Sequence, residues 1–155
     1  MSIELTHASP HFNRRPKGVV PRLIVLHATA GKSDAGDIAW LQSPESGVSY
    51  HAMVSRNGGL FTFVDYADRA WHAGVSSWKG VPDCNSYSIG LAFANAHDGK
   101  EALTPIQIAV MQGVVQHLRQ QWPGIEVVTH ADVAPKRKRD PLDSPGFDLS
   151  MYQSY

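Results

Sequence analysis

The chain of 155 residues has almost no cysteine. Cys84 stands alone, which excludes an intrachain disulfide and a cysteine-rich structural metal site. Charge is sparse too: 18% of residues are charged, and basic and acidic side chains cancel to a net charge of zero. That excludes a nucleic-acid binder acting through overall positive charge. There is no apolar run of membrane-spanning length, no internal repeat and no low-complexity tract. The opening MSIELTHASPHFNRRPKG lacks the apolar core of a secretory signal, so synthesis without a signal peptide is expected. What is present is a 43% hydrophobic content, enough for one packed domain. The expectation is a single domain over 1–155, opening with a polar arm over 1–21 that Pro10, Pro16 and Pro21 keep irregular.

After the arm, Arg22 to His27 reads as a buried strand, because apolar residues run without alternation. A helix is expected from about Ala35 to Gln42, after possible caps at Ser33 and Asp34. SYHAMVS and LFTFVDY flank Asn57-Gly58-Gly59, a hairpin signal. The stretch ADRAWHAGVSSWKGVPDCN reads as loop, and SYSIGLAFAN as a central strand. Thr104 as cap and Pro105 at the first helical position open a helix to about Gln121. Ile108, Met111, Val115 and Leu118 give it one buried face. IEVVTH is a last strand, and the tail from Pro141 reads as loop. Strands mixed with helices, with at least one hairpin, predict an α/β fold with a mixed central β-sheet flanked by α-helices.

His27 and His130 each end a strand, and Asp140 lies far enough beyond His130 for a loop to fold back. If the two strands are parallel, both imidazoles project from one sheet edge, where sites of α/β proteins gather. Two histidines and a carboxylate form a zinc set of catalytic type. A histidine at a strand end is more often a satisfied polar group, and eight histidines with fourteen acidic residues offer many such triples. Residue types alone leave both readings open.

LIVLHATAG, SYHAMVSRNG, RAWHAGVSSW, NSYSIGLAFAN and THADVAPKRKRDP occur in that order. Together, from about Leu23 to Asp140, they resemble the zinc N-acetylmuramoyl-L-alanine amidases. That family includes AmpD-type recycling enzymes, short phage amidases and animal peptidoglycan recognition proteins. The resemblance implies that fold, and Zn2+ held by His27, His130 and Asp140. It implies that Lys138 steadies negative charge on the reacting carbonyl. The shorter phage form would favour Lys136 instead, but the spacing of the last motif is AmpD-type. Arg137 and Arg139 then read as solvated. Tyr50 matches a tyrosine that phage-type members use near the metal. His51, next on the strand, faces the opposite way and reads as structural. Trp71, His72 and Ala73 match a motif lining the substrate groove.

One departure stands out. The AmpD-type strand motif SIGIE carries a glutamate as general base, and Ala92 occupies that place here. A zinc-bound hydroxide that needs little help, Tyr50 orienting the water, and Glu101 or Asp98 reaching back from the following loop are the ways in which catalysis could survive this change. His7, His11, His97 and His117 lie in no motif. The expected activity is zinc-dependent hydrolysis of the amide between N-acetylmuramic acid and L-alanine in peptidoglycan, by a monomer without a nucleic-acid or membrane partner. GLAFAN tilts the expectation to a phage- or prophage-type lysin that meets the wall after release. A cytosolic enzyme recycling anhydro-muropeptides, and a non-catalytic peptidoglycan-binding module created by Ala92, are the alternatives.

Overall fold

The structure, a computed structural model, describes residues 3–153. In chain order it comprises β1 (Phe12–Arg14), β2 (Leu23–Ala28), α1 (Asp34–Gln42), β3 (Ala52–Val54), β4 (Leu60–Thr62), β5 (Asp68–Ala70), β6 (Ser77–Trp78) and β7 (Val81–Pro82). A 3-10 turn (Cys84–Ser86) then leads to β8 (Ser88–Phe93), α2 (Pro105–Gln121), β9 (Glu126–Thr129), α3 (His130–Val133) and α4 (Ser150–Gln153). The outermost residues of the expected 1–155 domain and 1–21 arm lie outside the described residues.

Five strands form one mixed sheet in the order β4-β3-β8-β2-β9. β2 lies between β8 and β9 and runs parallel to both, and β3 runs parallel to β8. Only the β3–β4 hairpin is antiparallel. Every residue of β2 and β8 is buried, as expected of parallel strands covered on both faces. The alternation of the strand sorts their side chains. Ile24, Leu26, Ile89, Leu91 and Phe93 join Met111, Val115 and Leu118 of α2 in the larger core cluster. Leu23 and Val25 point the other way, and His27 follows them on that second face.

α2 begins where its cap signals place it. Thr104 and Gln107 form a reciprocal capping box. Gln107 is fully buried, and its side-chain amide donates to the Val54 and Ala94 carbonyls at 3.0 and 2.9 Å. One side chain thereby closes the helix and fastens it to β3 and β8. On the other face, α1 starts at Ser33, whose hydroxyl accepts from the Gly36 amide.

Three expectations change. The arm is not merely irregular: His7 and Ser9 donate to Thr62 and Phe63 at the free side of β4, and β1 pairs with β5. The arm thus covers an exposed strand edge. The stretch read as loop contains β5, β6, β7 and the 3-10 turn, all of two or three residues. Such short strands show no apolar alternation. The tail ends in the single turn α4, whose Tyr152 ring is buried against Phe93 and Phe147. Cys84 is buried, its Sγ 3.2 Å from the Tyr87 hydroxyl.

Candidate functional site

The carboxyl ends of β2 and β9 open into a cleft of about 670 Å³, walled by α1 and rimmed by the basic residues 137–139. That size suits a small organic ligand. His27 is the penultimate residue of β2. His130 follows β9 directly and begins α3. Thr129 caps that turn in a reciprocal box with Asp132, so the chain bends at once and presents the His130 ring to the sheet edge. The loop returns through two bonds. The Ala131 amide donates to the Asp140 carbonyl, and the Ala28 amide donates to the Asp140 carboxylate at 3.2 Å.

The three expected ligands therefore meet. The Nδ1 atoms of His27 and His130 are 3.1 Å apart. Asp140 oxygens lie 3.4 Å from the first and 3.1 Å from the second. Among the described residues this is the one cluster of histidine, cysteine and acidic side chains that converges closely enough to hold a metal ion. Burial pushes His27 down to about 4, so it stays neutral and keeps a lone pair for a ligand bond. Burial works against the Asp140 carboxylate, but the two facing imidazoles outweigh it and hold its pKa well below the usual range.

The far nitrogens are fixed as well. His130 Nε2 lies 3.1 Å from the Ala73 carbonyl, which can only accept, so the proton sits on Nε2. His27 Nε2 lies 2.9 Å from His72 Nδ1, and His72 Nε2 lies 3.1 Å from the Ser88 hydroxyl. His72 and Ala73, expected to meet substrate, line the cleft and also stand behind the two histidines, and both are largely buried. Asn85 holds them there by accepting from both backbone amides. Gly90 explains its own identity: a Cβ there would come within 2.4 Å of the His72 ring.

Tyr50 lines the cleft, its ring centroid 5.0 Å from that of His27, and burial raises its hydroxyl pKa. His51 points elsewhere, accepting from the Gly90 amide and contacting the Asp68 carbonyl. Trp71 lines the cleft, its indole N–H donating to Asn13. Lys138 lines it too, whereas Lys136 is not among the lining residues. The neighbouring arginines are exposed, as expected, and each also has hydrogen-bond partners. Arg137 donates to the Ala73 and Val75 carbonyls, and Arg139 forks onto Asp143.

Glu101 is not brought to the cleft. It pairs with Arg56 at 2.6 Å, in a cluster with Asp34. Asp98 accepts from the Lys100 and Glu101 amides of its own loop. Ala92 is fully buried beside His27 in the strand register. Sequence reasoning missed Asp37, Trp40 and Val48, all at the cleft. Asp37 offered no local signal, since its partner Thr29 meets it only across the turn before α1.

The sheet, the cleft at its strand ends and the convergent set define a single-domain α/β fold with a candidate metal site at the carboxyl ends of its strands. Residues 16–143 match the profile of the Amidase_2 family, N-acetylmuramoyl-L-alanine amidase, and the chain belongs to that family. It is 31% identical to the 1,6-anhydro-N-acetylmuramyl-L-alanine amidase AmpD of Haemophilus influenzae, over 94% of this chain and 88% of that protein. The Escherichia coli AmpD is 30% identical over 94% and 87%. A crystal structure of a selenomethionine AmpD derivative superposes with a TM-score of 0.82 at 30% identity, covering 96% of this chain and 94% of that one. The amidase AmiD of Escherichia coli, solved with anhydro-N-acetylmuramic acid-L-Ala-D-gamma-Glu-L-Lys, gives 0.69 at 29% identity. That match covers 83% of this chain and 56% of AmiD. A mutant endolysin from Bacillus subtilis shares the fold, at a TM-score of 0.63 and 24% identity over 88% of each chain.

Proposed function

We propose that this amidase is a zinc enzyme that cuts the bond between the muramoyl lactyl group and L-alanine in soluble anhydro-muropeptides. The observation that carries the metal is the mutual spacing of the His27, His130 and Asp140 donors, 3.1 to 3.4 Å. Zinc bonds of ~2.0–2.1 Å at the tetrahedral angle separate ligand atoms by about 3.3 Å. Three electron-pair donors facing one point need a cation between them. The choice of substrate rests on relatives that match nearly end to end and are named for anhydromuramyl substrates. The expectation of a wall-lysing enzyme gives way on that ground, since the endolysin likeness is one of fold.

Zinc, when bound, supplies a Lewis acid for the carbonyl oxygen and lowers the pKa of its water to about 7. The chain supplies the rest. Lys138, on the rim, places positive charge where the carbonyl oxygen becomes negative. Tyr50, packed on His27, forms one wall beside the reacting carbon. Trp71 offers a flat apolar face to the sugar. Ala92 is the one feature that favours a binding module, because a methyl group carries no proton.

The test is release of new amino groups from anhydro-muramyl-tripeptide and, separately, from intact sacculi. Release from the soluble substrate is expected, abolished by a chelator and restored by zinc. Release from sacculi alone would return the enzyme to the lysin role. Zinc binding without release from either substrate would make it a binder.

A further inference from the structure

We propose that Asp37 is the proton-carrying carboxylate of this site, delivered from helix α1 rather than from the strand. The inference rests on the amidase reading above. Three carboxylates line the cleft: Asp37, Asp140 and Asp143. Asp140 belongs to the convergent set, and Asp143 is held by the Arg139 fork. Asp37 is in no ion pair among the described residues. The nearby Arg56 guanidinium is spent on Asp34, Glu101 and the Gly31 carbonyl.

Asp37 is buried, and its Oδ2 accepts from the Thr29 hydroxyl at 2.7 Å. Thr29 follows Ala28, whose amide holds the Asp140 carboxylate. Consecutive residues at the end of β2 therefore hold the two carboxylates. The Thr29 hydroxyl accepts from the Asn95 amide and lies closer to Asp37, at 2.7 Å, than to its other acceptor, the Asn95 carbonyl at 3.5 Å. Gly31 leaves room for the second oxygen, since a Cβ there would lie 1.7 Å from Asp37 Oδ1. Burial raises the Asp37 carboxyl pKa, with the Thr29 bond opposing it, which suits a group that takes and returns a proton.

The fold also explains why α1 can serve here. Leu41, one turn beyond Asp37, packs in the same cluster as Ala92, together with Tyr50. The side chain at 92 is only a methyl within that shared apolar cluster, and the turn of α1 that carries Asp37 lines the cleft. In the step assigned to Asp37, water attacks the amide carbon and gives a proton to the carboxylate. The C–N bond breaks, and the same proton passes to the leaving nitrogen. A carboxylic acid and an amine result, and Asp37 ends as it began.

Two variants test this in the zinc-loaded full chain. Asp37→Asn keeps an oxygen for Thr29 and loses the proton affinity. Gly31→Ala pushes a methyl into the Asp37 carboxylate. On anhydro-muramyl-tripeptide each is expected to lower kcat by ~100-fold or more, the range of general acid–base catalysis. Zinc content and chelator-competition affinity should stay within about twofold of wild type. The double variant should lose nothing beyond Asp37→Asn alone. An Asp37→Asn enzyme within about threefold of wild-type kcat would overturn the assignment while leaving the amidase reading intact. So would activity lost only in step with zinc. A wild-type enzyme inactive on every muropeptide would overturn both.

Discussion

At the scale of single residues, the site depends on which nitrogen of each imidazole carries the proton. A ligand bond from His27 Nδ1 requires a proton on Nε2, donated to His72 Nδ1. His72 must then donate from Nε2 to Ser88. His72 therefore acts through His27 as a positioning residue. Such partners of metal ligands are worth ~10–100-fold in metal affinity. His72→Ala should weaken zinc binding by that factor, measured by competition with a chromophoric chelator. Unchanged affinity would leave His72 with only the substrate-groove role that its motif suggested. Of the candidate site, the convergence of His27, His130 and Asp140 and the cleft position of Lys138 were legible because each lies at a strand end or in a motif loop. The contact of His72 with His27 was not, because sequence does not tell which side of a histidine faces a neighbour. Asp37 was invisible because only the folded turn brings it to Thr29.

At the scale of elements, α2 came out of the sequence with both ends, since Thr104, Pro105 and Gln107 act within one turn. The central strands were legible as apolar runs. Strands of two or three residues, and the single turns α3 and α4, were not, because neither period fits inside them. Gln107 gives the helix a role that the sequence did not announce. Gln107→Ala would strip the donor from the buried Ala94 carbonyl, while the Val54 carbonyl keeps the Ala94 amide. An unsatisfied buried group costs ~1–3 kcal/mol, so a loss of that size is expected in denaturant unfolding. A loss below about 1 kcal/mol would show that water replaces the amide.

At the scale of the whole molecule, three desolvated histidines set the response to acid. Burial lowers His27 to about 4 and His51 to about 3, and His72 falls well below its usual value. Unfolding restores each to about 6.5. As pH drops below that value, the unfolded chain binds protons that the folded chain refuses, so stability falls. The loss from His27 is complete near 4, and that from His51 continues to about 3. Asp140, held low, adds to it below the ordinary carboxylate range, whereas Asp37, pushed up, offsets part of it. The melting temperature of the metal-stripped protein should therefore be level above pH ~7 and decline steadily from ~6.5 to ~4.5. A level profile through that interval would show that these imidazoles are hydrated. The solitary thiol has a practical consequence at this same scale. Cys84 is sealed inside against Tyr87, so reagents in solution have no native thiol to reach in the folded chain. Val75, 84% exposed, follows the cleft-lining Gly74. Val75→Cys would thus carry a single fluorophore at the mouth of the cleft, and ligand entry could be timed by light without any turnover.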